Sequence, residues 1–285
     1  MNNTQTKSTF SIGGDLTINR LGYGAMRITG KGIWGPPENK EEAIKVLKRA
    51  VELGVNFIDT ADSYGPNVSE ELIAEALYPY PKGLLIATKG GLTRTGPNQW
   101  PVNSSPEHLK EALAGSLKRL KLDQIDLYQL HRIDPNVPAD KTFEFLQQAQ
   151  QEGKIKHIGL SEVTVEDIKK AQHYFDVVSV QNMYSVDNRK WEAVLTYCTE
   201  NNIAFIPWYP LNAGNVEAVD VLQKIAAAHK ATVHQVALSW LLQHADNILL
   251  IPGTSSVAHL EENMKTATVR LTEDDIVKLD QLSKP

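Results

Sequence analysis

Apolar residues along the chain fall into two alternating patterns. The first is a short run rich in β-branched residues. It appears as LGYGAM from Leu21, VNFIDT from Val55, LLIATK from Leu84 and IDLYQLH from Ile125. It returns as KHIGLS from Lys156, VVSVQN from Val177, IAFIPW from Ile203 and ILLIPG from Ile248. Most of these runs lack a polar face, as strands of a parallel sheet do when helices cover it. The second pattern has helical period. In NKEEAIKVLKRAVELG, Asn39 is placed to cap, acidic residues fill the first turn and Gly54 ends the helix. In SPEHLKEALAGSLKRL, Ser105 caps, Pro106 takes the first helical position and Glu107 the first turn. SEELIAEALY, DKTFEFLQQAQQEG, TVEDIKKAQHYF, DNRKWEAVLTYCTENN, EAVDVLQKIAAAHK and TVHQVALSWLLQH continue the series, and SVAHLEENMK and TEDDIVKLDQLSK follow the last apolar run.

Eight apolar runs alternating with helices predict an α/β fold, either a (β/α)8 TIM barrel or a doubly wound sheet, and the count favours the barrel. Ahead of the first run, FSIGGDLTIN has two short alternating stretches around a Gly-Asp turn, which predicts a β-hairpin plugging the bottom of the barrel. The two last helical stretches predict extra C-terminal helices. With no linker and no shift in composition, residues 1–285 are expected to form a single domain.

Composition narrows the class. Hydrophobic residues make up 42% and charged residues 22%, ordinary for a globular protein, and the apolar runs are too short to span a bilayer. The first ten residues lack the basic start and apolar stretch of a secretory signal, so a cytoplasmic protein without a membrane partner is expected. A net charge of −5 argues against nucleic acid as a partner. Cys198 is the sole cysteine and sits at helical spacing, which excludes an internal disulfide and predicts a structural thiol; no metal site is expected.

Catalytic groups of a barrel gather at the C-terminal ends of its strands. There the second run ends at Asp59 with Tyr64 five residues on, the third ends at Lys89 and the fourth at His131. Singly, each has a bland reading as an ion pair, a surface tyrosine or a capping histidine. Together their chemistry is complementary. A tyrosine hydroxyl has a pKa of about 10, and a neighbouring ammonium is expected to lower it. Lys89 would do this for Tyr64, Asp59 would hold Lys89 charged and in place, and His131 would hydrogen-bond a substrate oxygen. Such a group can protonate a carbonyl oxygen as hydride reaches the carbon.

The motifs LGYGAM, FIDTADSYG, ATKGG, IDLYQLHRID, GKIKHIGLSEVT, VQNMYS, IPWYPL and LLIPGTSSVAHLEEN resemble those of the aldo-keto reductase superfamily, over nearly the whole chain. The resemblance implies reduction of an aldehyde or ketone by NADP(H), with Tyr64 as general acid or base, Lys89 and Asp59 tuning it and His131 orienting the carbonyl. It implies cofactor contacts by Gly24 and Met26 after the first strand and by Asp59 at the nicotinamide ribose. Ser161, Glu162 and Gln181 would meet the carboxamide, Trp208 would stack on the nicotinamide, and Leu211 would lie near the pyrophosphate. Gly253, Thr254, Ser255 and Ser256 would offer N–H groups to the adenosine phosphates at a helix start, with His259 beside them and Glu262 and Asn263 at the adenine. Two departures stand out: Glu162 replaces the family's usual Asn, and Thr254 to Glu262 contains no Lys or Arg to meet a 2′-phosphate, which keeps NAD(H) as the alternative cofactor.

Trp34 and Trp100, in loops above the barrel, are expected to wall the substrate site with Tyr64 and His131. Arg27 and Arg132 follow strand ends and are placed to attract an anion or to form ion pairs. The loop after Trp208 is short, so any lid is expected to be slight. Among family members the chain looks most like bacterial oxidoreductases that include pyridoxal reductases, and pyridoxal, a flat aromatic aldehyde, suits such a site. The expected partner is therefore a small-molecule carbonyl compound, bound by a monomer or weak homo-oligomer. A Rossmann reading of LGYGAM fails, since Arg27 stands where a third glycine is needed and no helix follows until about Asn39. The non-enzymatic rival is a nucleotide-binding regulatory or redox-sensing subunit on the same barrel.

Overall fold

Seven of the eight apolar runs form one parallel sheet in a computed structural model that describes residues 7–208 and 220–283. A two-stranded antiparallel hairpin, β1 (Thr9–Ile12) and β2 (Leu16–Asn19), comes first. The sheet then follows in chain order: β3 (Tyr23–Gly24), β4 (Phe57–Asp59), β5 (Leu85–Gly90), β6 (Ile125–Leu130), β7 (Ile155–Ser161), β8 (Val177–Gln181) and β9 (Ala204–Phe205). The last run is not a regular strand, yet it bridges both edges. Leu249 N donates to Phe205 O at 2.8 Å on one side, and Leu250 N donates to Arg20 O at 2.7 Å on the other. Gly22 N returns a bond to Leu250 O at 2.8 Å, so the sheet closes on itself as a (β/α)8 barrel.

Closure needs close backbone approach. A Cβ on Gly24 would lie 2.5 Å from Ile251 O, which leaves glycine as the residue that fits. Arg20 secures the same seam from below, donating to the carbonyls of Lys7, Leu242, Ala245 and Ile248 while only 1% exposed. Burial lowers its pKa to about 10, which still leaves it charged at neutral pH.

Inward-facing residues of the strands, among them Phe57, Leu85, Leu127, Val178, Ala204 and Leu249, make one apolar cluster that includes Ile12 and Ile18 of the hairpin. The hairpin therefore plugs the barrel floor. Its turn fits only without a side chain: Gly13 has φ +60°, and a Cβ there would lie 2.3 Å from the His157 ring. Asp15 pairs with Lys156 and His157, each at 2.8 Å, near the start of β7.

Helices cover the outside, and their starts follow the sequence signals. The Asn39 side chain accepts from Glu42 N, Ser105 from His108 N, and Thr164 and Thr232 form capping boxes. Two helices, Asp220–His229 and Val233–His244, separate β9 from the closing run, and Glu273–Asp280 follows the helix Val257–Met264. The supernumerary helices thus stand on both sides of the final strand position. Cys198 is buried against the barrel, its thiol pushed up to about 12 by burial, the state of an inert structural cysteine.

Candidate active site

The opening of the barrel is built where the strands run out. After β4, the loop carrying Asp62, Ser63 and Tyr64 is pinned to β5: Thr60 N donates to Ala87 O at 2.8 Å and Asp62 N to Lys89 O at 3.2 Å. Arg94 holds the loop from above, donating to Ser63 O and to the carbonyls of Gly32, Ile33, Gly96 and Gln99. The fixed loop turns the Tyr64 hydroxyl toward the end of β5.

Lys89 meets it there. Its ammonium, wholly buried, donates to Asp59 Oδ2 at 2.6 Å and Thr60 O at 2.8 Å, and reaches the Tyr64 hydroxyl at 3.5 Å. The other oxygen of Asp59 accepts from Gln181 Nε2 at 2.9 Å and Gln129 Nε2 at 3.1 Å. His131 lies edge-on to the Tyr64 ring with centroids 5.9 Å apart, and its Nδ1 is 3.5 Å from Ser63 Oγ. Trp100 faces Tyr64 edge-on at 6.3 Å, with the Arg94 guanidinium 3.6 Å from its ring centroid.

Burial sets the protonation states. For Lys89 it opposes the charge, but Asp59 and Tyr64 outweigh it and hold the pKa above its ordinary value. For Tyr64 the balance differs from the sequence expectation: burial raises the pKa, Asp59 adds to the rise, and the lowering by Lys89 and Arg132 does not overcome them. The reason is first the burial of the hydroxyl, and then the charge of Asp59, which offsets part of the lowering by Lys89. Tyr64 therefore rests protonated at neutral pH. His131 is pushed well below its ordinary range by burial, with Lys89 and Arg132 adding to the effect, so its ring is neutral at neutral pH.

These groups open into a cavity of about 790 Å³. Of the residues singled out from sequence, Gly24, Met26, Arg27, Asp59, Tyr64, Trp100, His131, Arg132, Ser161, Gln181, Trp208 and Gly253 line it. Lys89 lies beneath it. Trp34, 37% exposed, stands outside the lining and touches the site through Arg94, whose guanidinium is 5.5 Å from its ring centroid. Glu162 is also set back. At φ +55° it holds the left-handed conformation that Asn tolerates more readily, and its carboxylate accepts from Trp208 Nε1 and Met183 N, both at 2.6 Å, so it braces Trp208.

Thr254, Ser255, His259, Glu262 and Asn263 lie on the segment and helix beyond Gly253, outside the lining. At that helix start Val257 N donates to the Glu42 carboxylate at 3.2 Å, so an acidic group already holds one of the free N–H groups. Leu211 lies outside the described residues. Sequence reading passed over Gln129, Arg94 and His234, which line or brace the site. Only Gln129 carried a signal, as a polar residue inside the apolar run IDLYQLH.

Comparison with known proteins adds the lineage. A sequence model described as the Aldo/keto reductase family matches residues 20–284. An uncharacterised oxidoreductase of Schizosaccharomyces pombe is 54% identical over 95% of this chain and 89% of its own length. Pyridoxine 4-dehydrogenase of Escherichia coli is 42% identical over 98% of this chain and 99% of its own. A second S. pombe relative, an aldo-keto reductase whose name specifies NADP(+), is 33% identical over 95% and 90%. Among solved structures, the thermostable aldo-keto reductase Tm1743, crystallised with the inhibitor epalrestat, superposes with a TM-score of 0.84 at 29% identity, covering 96% of this chain and 99% of that one.

Proposed function

The chain belongs to the aldo/keto reductase family and is an oxidoreductase, and from that premise we propose that it reduces an aldehyde to an alcohol with NADP(H), pyridoxal to pyridoxine being the favoured reaction. One observation carries the reading: a buried lysine joins a carboxylate to a tyrosine hydroxyl at the base of a cavity that His131 also lines. The relative named pyridoxine 4-dehydrogenase supports the substrate, and the relative whose name specifies NADP(+) supports the cofactor.

The residues present fit a nicotinamide. Arg132 donates to Ser161 Oγ, leaving the hydroxyl proton to give, and Gln181 donates to Asp59, leaving its amide oxygen to accept. A carboxamide needs one of each. Trp208 offers an aromatic wall beside them. When bound, the nicotinamide supplies a hydride to the carbonyl carbon.

The chain's own groups do the rest. His131, neutral, donates to the carbonyl oxygen and aligns it; Tyr64 gives that oxygen its proton; Lys89 stabilises the phenolate that remains; and Asp59, fixed by two glutamine amides, keeps Lys89 charged. In the oxidative direction the same proton returns to Tyr64. Trp100 and Trp208 provide flat apolar walls suited to an aromatic aldehyde. Met26 and Gly24, which line the cavity, would border the nicotinamide, and Gly253 and the segment after it would hold the phosphates. The acidic Glu42 at that helix start, and the lack of Lys or Arg from Thr254 to Glu262, keep NADH in contention as the donor. The reading places the enzyme in the cytoplasm as a monomer or weak homo-oligomer.

The test is the initial rate of loss of nicotinamide absorbance with pyridoxal and NADPH or NADH. Tyr64→Phe should lower kcat by about 10²- to 10⁴-fold without unfolding the protein. An unchanged rate in that variant, or no turnover of any aldehyde despite nucleotide binding, would reject the reading.

A further inference from the structure

The cavity's charge is opposite to that of the chain. The sequence carries a net charge of −5. Yet among the described residues Arg27 and Arg132 line the cavity with one carboxylate, Asp59, which Lys89 already pairs. Arg27 lies at the outer end, its Cγ 3.6 Å from where a Cβ on Gly253 would sit. That end suits the phosphates of a dinucleotide. Arg132 sits at the other end, next to His131, where no phosphate is expected.

Arg132 is held firmly and used only in part. Its Nη1 donates to His131 O at 2.6 Å and Ser161 Oγ at 2.9 Å, and its guanidinium carbon is 5.8 Å from the Trp208 ring centroid. Among the described residues, Nε and Nη2 have no acceptor and no carboxylate lies within ion-pair distance. Burial lowers the pKa of Arg132, the charge of Glu162 opposes that effect, and Glu162 Oε1 is engaged by Trp208 and Met183. A half-buried guanidinium with an open edge is suited to a planar anionic group and draws strength from exclusion of water.

We propose that Arg132 selects carbonyl substrates that carry an anionic oxygen close to the reacting carbonyl, as an aromatic phenolate or carboxylate. This rests on the reductase reading above and names the substrate class of the same site. Pyridoxal belongs to the class, since its phenolic oxygen sits on the ring carbon next to the one that bears the aldehyde. A neutral aldehyde of the same shape would reach Tyr64 and His131 but leave Arg132 without its anion.

Matched substrates test this: 5-nitrosalicylaldehyde, whose phenol beside the aldehyde is ionised at neutral pH, against its O-methyl ether, and pyridoxal against its 3-O-methyl ether, each with NADPH and wild type, Arg132→Gln and Arg132→Lys. The readout is the ratio of kcat/KM for the anionic member to that for the neutral one. Differences in intrinsic reactivity, and any general loss from disturbing Ser161 or His131, cancel when ratios are compared between proteins. The ratio should fall about ten-fold or more in Arg132→Gln, chiefly through KM, and lie between the two in Arg132→Lys. Equal ratios in all three proteins would overturn the assignment while leaving the reductase standing. Absence of Tyr64-dependent turnover of every member by the wild type would overturn both.

Discussion

Tyr64 is the residue on which the account turns, and its environment dictates an unusual pH response. The pKa of an ordinary tyrosine is about 10, and burial holds that of Tyr64 higher still. Reduction needs the protonated hydroxyl, which is present below that raised value, so kcat/KM for reduction should stay level from neutral pH upward and fall only above the ordinary tyrosine range. Oxidation of the alcohol needs the phenolate, so its rate should climb with pH toward the same limit. His131 takes up its proton only well below its ordinary value. No acid limb should therefore appear near pH 6.5. Rate profiles in both directions check this, and a reduction limb near neutrality would contradict the assigned states. Sequence disclosed the four ionisable groups because Asp59, Lys89 and His131 each stand at the end of an apolar run and Tyr64 follows Asp59 on its loop. It did not disclose the direction of the Tyr64 shift, which depends on how deeply the hydroxyl is buried and on Asp59 offsetting the charge of Lys89.

At the scale of elements, the site is a set of loops held together by one side chain. Arg94 donates to backbone carbonyls from the segment near Gly32, the loop that carries Tyr64 and its own loop, and packs against Trp100. Arg94→Met keeps a long apolar stem but loses the donors. Its kcat/KM for aromatic aldehydes should drop by about 10- to 100-fold, as misplacement by an ångström does elsewhere, with a smaller drop for a short aliphatic aldehyde that does not need the Trp100 wall. Steady-state kinetics on the two substrates decides it, and equal losses would mean that Arg94 supports the fold alone. Helix boundaries were legible because caps are local: Asn39, Ser105 and Thr164 each satisfy an N–H within their own first turn. The Arg94 clamp was not, because its acceptors are backbone carbonyls up to 62 positions away and no residue type marks them.

For the whole molecule, the question is what closes the barrel. The closing run has only bridging pairs, since Pro252 removes an N–H directly after Ile251, and β9 stops at Phe205 shortly before Pro207. Eight runs counted in the sequence were enough to name the barrel. The seam, however, relies on Arg20, which sequence offered as an ordinary basic residue. Arg20→Leu would strand several buried carbonyls and should cost about 3 kcal/mol or more of stability. Denaturant titration measures it, and an unchanged midpoint would show that the sheet closes without it. The plug was legible as alternating stretches around a Gly-Asp turn, and the structure places Ile12 and Ile18 beneath the interior residues of the strands.

In the proposed reaction Tyr64, backed by Lys89 and Asp59, delivers a proton in step with hydride transfer. The most direct measurement is the single-turnover rate of NADPH oxidation by pyridoxal in a stopped-flow instrument, for wild type and Tyr64→Phe, with NADPH affinity measured on the same preparations. The account predicts unchanged NADPH affinity and a hydride-transfer rate lower by about 100-fold or more in the variant. A variant that transfers hydride at the wild-type rate would contradict it.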